Sequence, residues 1–332
     1  MPQPTPGDLH VNRPLTNVSI AHAQKEQDFL TGRTGVTIPV EKQTDSIVKY
    51  KKGAFYRDEM KDRAPGAETA GGGWEIDSPL TYYCPVKGFH HDIPDQVRAN
   101  TDSPINNDRA ATRLVTRKRL INSDRRFAAT MLASTAGWDI KLPGVASGSY
   151  TVDTNVIVWS DYTNSNPILD VSRHARRVQL ASGGFRPKKG LCTRPVWDVL
   201  KDHPDFVGLV SGGATTSNPS IVTRKLVAEK FELDDLIVVD SIYDAALENG
   251  TWAPAFIGGN SFLLYYTPDE AAIEEPSAFY NFTWKGYMGN AMGHRIKKYR
   301  MENLAADRIE IESADDWKLT GADMAALMYD LI

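Results

Sequence analysis

Between residues 36 and 93 the chain holds strands but no core to set beneath them. Residues 36–40 are rich in β-formers, with Pro39 suiting an edge strand. Residues 46–55 carry Ile47, Val48 and Tyr50, and residues 80–86 read Leu-Thr-Tyr-Tyr-Cys-Pro-Val, dense in aromatic and β-branched side chains. Residues 57–73, between these runs, are charges, proline and glycine. The pattern predicts a long hairpin with a long tip. Its arms contain Lys49, Lys51, Lys52, Glu75, Asp77 and Lys87. A two-stranded ribbon that polar is marginal in water by itself. It needs a sheet of the same chain or a neighbouring molecule.

The next feature is a helix predicted over residues 104–133. Asn106 or Asn107 can cap it, and Asp108 sits in its first turn. Ala111, Leu114, Val115, Ile121, Ala128 and Leu132 recur at helical spacing. Such a helix spans about 40 Å. It is basic: Arg109, Arg113, Arg117, Lys118, Arg119, Arg125 and Arg126 stand against Asp108 and Asp124. Cations on a helix can lie against phosphates. The helix has no interleaved aromatic and no base-reading set. Ion pairs between subunits account for its charge equally well.

From residue 166 the texture alternates between helix and strand. Residues 167–181 are amphipathic, residues 189–192 form a short strand, and residues 195–202 form a short helix that Thr193 can cap. Helix is expected over 220–231. Leu236-Ile237-Val238-Val239 has the continuous apolar pattern of a strand buried on both faces. Residues 250–268 read as a strand pair with a turn. Residues 278–284 and 308–312 alternate as strands do. Thr320-Gly321-Ala322-Asp323 resembles a capping box that opens a helix over 324–328. Residues 1–35 show little periodicity and no basic-then-apolar leader.

Composition removes several function classes. The 332 residues carry 38 Lys+Arg and 42 Asp+Glu, a net charge of −4. A surface devoted throughout to neutralising nucleic acid is excluded. Two cysteines, Cys84 and Cys192, cannot build a disulfide framework. Cys84 with His90 and His91 does not make a metal site, because adjacent residues of a strand point to opposite faces. The apolar strand ending at Asp240 lacks the phosphate-binding loop that a nucleotide enzyme needs upstream. Gly71-Gly72-Gly73 precedes strand-like residues and reads as a hairpin tip. Asp234-Asp235 and Asp315-Asp316 read as loop solvation and helix capping. Ser147 lacks the spacing of a nucleophile elbow. No catalytic residue, cofactor site or metal site is expected.

Several stretches carry a more specific signal, in order along the chain. They are Leu9-His10-Val11-Asn12-Arg13-Pro14-Leu15-Thr16-Asn17, Lys52-Gly53-Ala54-Phe55-Tyr56-Arg57-Asp58-Glu59 and Arg63-Ala64-Pro65-Gly66-Ala67-Glu68. Asp92-Ile93-Pro94-Asp95, Arg194-Pro195-Val196-Trp197-Asp198 and His203-Pro204-Asp205 follow. Together with the order of parts, they resemble the HK97-like major capsid proteins of tailed phages. The resemblance implies an α+β capsid fold with an N-arm (1–35) and an extended E-loop hairpin with flanking strands (36–93). It also implies a P domain (94–164 and 276–332) with a spine helix at about 105–133, and an α/β A domain (165–275).

The resemblance further implies homo-pentamers and homo-hexamers tiling an icosahedral shell, in the virion, around double-stranded DNA held by weak non-specific contact. The implied partners are other copies of the chain, a portal protein, a separate scaffolding protein and, as an option, a decoration protein, with no membrane. The intersubunit contacts it implies are Arg57, Asp58, Glu59, Lys61, Arg63 and Trp74 on the hairpin. On the helix they are Arg113, Arg117 and Arg125, and on a capsomer-axis loop Gly212 and Gly213. An encapsulin-type cellular shell shares these features, and an α/β enzyme of unknown reaction is the third reading.

Overall fold

The computed structural model describes residues 25, 28–30, 32–77, 79–101, 106–211, 221–270 and 275–332. The strand-rich N-terminal part forms β1 (Thr37–Val40), β2 (Thr44–Ile47), β3 (Leu80–Tyr83) and β4 (Val86–Pro94). A short α1 (Asp95–Ala99) leads to the long helix α2 (Asn107–Phe127), which continues as a π turn over Ala128–Leu132. Then come β5 (Ile140–Val145), β6 (Val156–Ile157), α3 (Pro167–Ser182), β7 (Lys189–Thr193), α4 (Arg194–Asp202), α5 (Pro204–Ser211), α6 (Arg224–Lys230) and β8 (Asp235–Val239). The chain continues through β9 (Ile242–Asp244), β10 (Pro254–Phe256), β11 (Phe262–Tyr265), β12 (Phe279–Trp284), α7 (Lys285–Met288), β13 (His294–Met301), β14 (Ala306–Leu319) and β15 (Ala325–Tyr329).

Two sheets organise these elements. The larger has the order β6-β5-β15-β11-β7-β8. Its strands are apolar on both faces, and alternate residues enter two separate cores. Leu236, Val238, Phe262, Leu264, Ala326 and Met328 pack under α3, α4, α5 and α6. Ile237, Val239, Leu263, Tyr265, Ala325 and Leu327 pack on the other side, against Phe127, Met131, Phe279 and Trp317. This is why the 236–239 run shows no polar alternation. The second sheet runs β1-β12-β14-β13, with β4 also paired to β14.

The long helix lies across that second sheet. Asn106 caps it by accepting the Arg109 N–H at 2.9 Å. Ala111 and Val115 pack on Ile93, Ile309 and Ile311. Further along, Phe127 and Met131 enter the central core instead, and the Phe127 ring meets Trp317 at 5.0 Å between centroids. The buried face thus rotates along the helix. Leu114, expected on the inner stripe, is 38 % exposed.

Several expectations are corrected. Residues 320–323 do not cap a helix: β15 follows and lies between β5 and β11. Ala325, Ala326, Leu327 and Met328 are all buried, and that two-sided slot overrides their helical propensity. Asp315 and Asp316 lie within β14 rather than at a helix cap. Thr193 does not cap α4, because its hydroxyl bonds the Ser261 carbonyl at 3.2 Å. Helix α6 begins at Arg224 rather than near 220, where Thr223 accepts the Leu226 N–H. β10 and β11 do not pair with each other. Gly258 and Gly259, both at positive φ, turn the chain between them, so β10 pairs with β9 and β11 joins the large sheet. The second hairpin run stops at Ile47, and Lys52–Phe55 is a 3-10 turn.

Candidate intersubunit surface

The ribbon begins as β2 and β3, paired antiparallel from Thr44↔Tyr83 to Ile47↔Leu80. It extends through one further bridge, Tyr50↔Ile76, with the Lys51 N–H bonding the Glu75 carbonyl at 3.0 Å. Beyond that bridge the ladder ends. From Phe55 to Asp77 every residue is exposed. Tyr50, Phe55 and Trp74 nonetheless cluster, at 6.2 Å and 5.1 Å between ring centroids. Trp74 is 58 % exposed and Met60 is 92 % exposed. Around them lie Arg57 with Glu59 at 3.8 Å, Arg63 bonded to the Ala67 carbonyl, and the exposed Asp58 and Lys61. Hydrophobic area of this size in water is what a binding surface exposes.

The root of the ribbon is held. Lys52 pairs with Asp323, and its ammonium donates to the Ala181 carbonyl at 2.9 Å. Burial and the neighbouring Lys49 hold the Lys52 ammonium below the ordinary lysine range. The Tyr56 hydroxyl donates to the carbonyl of Gly183, the left-handed residue that ends α3. Sequence reasoning marked the 52–59 stretch but missed this anchor, because Ala181, Gly183 and Asp323 lie far along the chain and share no pattern with it.

A second group of ion pairs ties the long helix to β14, β4 to β14 and α1 to β13. Arg126 pairs with Asp315. Asp92 receives both arms of Arg308, at 2.7 and 2.8 Å, and Asp95 both arms of Arg300, at 2.6 Å each. The guanidinium hydrogen bonds hold both carboxyls below the usual carboxylate range. Asp124 is buried in the inner face of α2. Its carboxylate accepts the Leu30 N–H at 3.0 Å and the Ser241 hydroxyl at 3.0 Å. One side chain therefore joins the segment preceding β1, the helix and the link between β8 and β9. An acid inside a basic helix was the available signal, since a surface role gives no reason for it.

Of the three helix arginines expected at an interface, Arg113 and Arg125 are exposed and Arg117 is half-buried. None forms an ion pair with a described residue. The Arg125 guanidinium instead lies 4.6 Å from the centroid of the Tyr243 ring. Gly212 and Gly213 lie outside the described residues. Cys84 is fully buried, its thiol facing the Phe282 carbonyl at 3.4 Å, and burial pushes that thiol up to about 12. Among the described residues no helix is long and apolar enough to cross a membrane.

Comparison with solved structures decides the fold. A phage-related protein from Bordetella bronchiseptica superposes with a TM-score of 0.67 at 16 % identity, covering 93 % of this chain and 94 % of that one. The capsid of cyanophage P-SCSP1u gives 0.61 at 10 % identity, over 97 % and 93 % of the two chains. The fold is that of HK97-like capsid proteins. The SrpI encapsulin of Synechococcus elongatus shares it, with a TM-score of 0.55 at 14 % identity over 95 % and 92 %. No protein-family model and no curated protein sequence matches the chain. The HK97-like fold is thus carried by a sequence only 10–16 % identical to these three structures.

Proposed function

We propose that this chain is the subunit of a closed protein shell, a major capsid protein assembling through pentamers and hexamers around double-stranded DNA. The observation that carries the proposal is the uncovered ribbon. A stretch of exposed residues that, with Tyr50 beside it, keeps Phe55, Met60 and Trp74 largely in water gains nothing for the isolated subunit. Laid on a neighbouring copy, the same residues bury apolar area, and the interspersed Arg57, Asp58, Glu59, Lys61 and Arg63 supply the polar rim. The likeness over nearly the whole chain to proteins described as capsids supports the same reading.

In this reading residues 36–93 are the E-loop and its flanking strands. Residues 94–164 and 276–332 are the P domain, residues 165–275 the A domain and residues 1–35 the N-arm. Arg113, Arg117 and Arg125 face acidic groups of adjacent subunits, and the loop holding Gly212 and Gly213 faces the capsomer axis. The partners are further copies of the chain, a portal protein, a separate scaffolding protein and, in some shells, a decoration protein, all within the virion. No enzymatic step is assigned to it.

The test is deletion of residues 57–73. The variant subunit is expected to keep its circular dichroism and solubility while negative-stain images show no shells; normal particles from the deletion would refute the reading. The encapsulin likeness supports a second reading, a cellular shell. Nucleic acid inside particles purified from an infected or induced host favours the first reading, and particles free of nucleic acid favour the second.

A further inference from the structure

The basic helix looked unfit to hold a polynucleotide because it carries no aromatic residue among its cations. The fold supplies them from elsewhere. The β9–β10 hairpin lies alongside α2, and between them runs a cleft of about 400 Å³. Lys118, Asn122 and Arg125 line it from the helix, and Tyr243, Asp244 and Trp252 line it from the hairpin. A cleft of this volume is in the range that admits a small organic ligand such as one nucleotide unit.

Three features define its chemistry. First, Lys118 and Arg125 form no ion pair with a described residue. The one carboxylate in the cleft, Asp244, already accepts the N–H groups of Ala246 at 3.0 Å and Ala253 at 3.1 Å, which hold the hairpin loop. The cleft therefore has cationic groups to spare. Second, the Arg125 guanidinium is laid over the Tyr243 ring, 4.6 Å from its centroid. The planar guanidinium is held from one side and leaves its opposite face for another flat group. Third, Trp252 is 63 % exposed at the cleft wall. A large indole left in water beside two cations offers a stacking face of the kind that unpaired bases occupy.

We infer that this cleft binds single-stranded nucleic acid, with an unstacked base against Trp252 and the Arg125 guanidinium and the adjoining phosphates on Lys118 and Arg125. An acidic peptide would satisfy the cations but leave the indole and guanidinium faces without a planar partner. Duplex DNA would satisfy the cations too, but its bases are already stacked. The inference stands on the cleft alone, concerns the unassembled subunit, in which Arg125 has no neighbouring subunit to pair with, and goes beyond the shell reading.

The experiment measures fluorescence anisotropy of a short labelled oligothymidylate titrated with the unassembled full chain. It is compared with a duplex of the same length and with poly-glutamate as competitor. Trp252 is exposed, so Trp252→Ala is expected to keep the parent's unfolding temperature while weakening oligothymidylate binding roughly fivefold or more. Trp252→Phe should recover most of the loss. Lys118→Ala should lower the slope of log affinity against log salt by about 0.7. Three results would each overturn the inference: no binding at all, equal binding of duplex with no effect of Trp252→Ala, or displacement by poly-glutamate as readily as by unlabelled oligothymidylate. Electron micrographs of the same preparations report shell formation separately, so loss of binding with intact particles cannot be confused with failure to assemble.

Discussion

Helix α3 buries two titratable groups one turn apart, and they should pull the pH dependence of stability in opposite directions. The Asp170 carboxyl is buried among apolar residues with the Trp159 indole N–H at 3.3 Å. Desolvation raises its pKa from 3.8 to about 6, against the smaller lowering effects of that hydrogen bond and of Arg173. The folded state therefore holds a proton that the unfolded chain has released, and stability falls as pH rises from about 4 to about 6.

His174 does the reverse. Burial first, and then the neighbouring Arg177, lower its pKa from 6.5 to about 4. The unfolded chain takes up a proton that the folded chain refuses, so stability rises between pH 4 and pH 6.5. A shift of about two units is worth about 3 kcal/mol in each case. The two contributions nearly cancel in the parent protein, which should look insensitive to pH at this site.

Single substitutions uncover each half. Relative to the parent, Asp170→Asn should gain about 3 kcal/mol of stability as pH rises through this window, because only the histidine then contributes. His174→Gln should lose a similar amount. The double variant should again track the parent. Urea denaturation of the unassembled subunit across the window reads all four proteins. Single-variant curves parallel to the parent's, at any offset, would refute the coupling of burial to titration argued here.

Other expectations follow from particular contacts. Asp124→Ala leaves the buried Leu30 N–H and the Ser241 hydroxyl without their acceptor and should cost about 3 kcal/mol in the same assay; a change under about 0.5 kcal/mol would remove Asp124 as a hub. A Cβ at Gly144 would press on the backbone carbonyl of Asp330, which cannot swing aside, so Gly144→Ala should abolish soluble expression or sharply lower the unfolding temperature. Cys84, with no exposed area and its thiol pushed up to about 12, should resist a thiol reagent in the native protein and react fully in denaturant. Reversing charge at Arg113, Arg117 and Arg125 together should stop assembly of empty shells while leaving the subunit folded, checked by light scattering and circular dichroism.

Much of this fold is visible in local patterns. The 236–239 run announces a strand covered on both sides, and residues 167–181 announce an amphipathic helix, because each pattern reflects burial along one element. The long helix is legible for the same reason, and Asn106 is one of the two caps the sequence offered, although Leu114 of the expected stripe is exposed. What stays hidden depends on contacts between distant segments. Residues 325–328 are helix formers held as a strand by neighbours on both sides. Asp124 gains its meaning only from Leu30 and Ser241. The ribbon's lack of a core could be read directly, but its anchor on Gly183 could not. The cleft was invisible because its cations and its aromatics come from parts of the chain that show no pattern in common.

The position of β15 has a consequence for how such subunits are made. It sits between β5 and β11, yet its residues leave the ribosome after both of them and after every other described strand. Until Tyr329 has emerged, β5 and β11 lack the neighbour that joins them, and Leu327 and Met328 are missing from the two cores they fill. A chain broken off earlier is therefore not a slightly shortened building block but one without a completed central sheet. On the shell reading proposed above, such a fragment is expected to fail at folding rather than to compete for a place in an assembly.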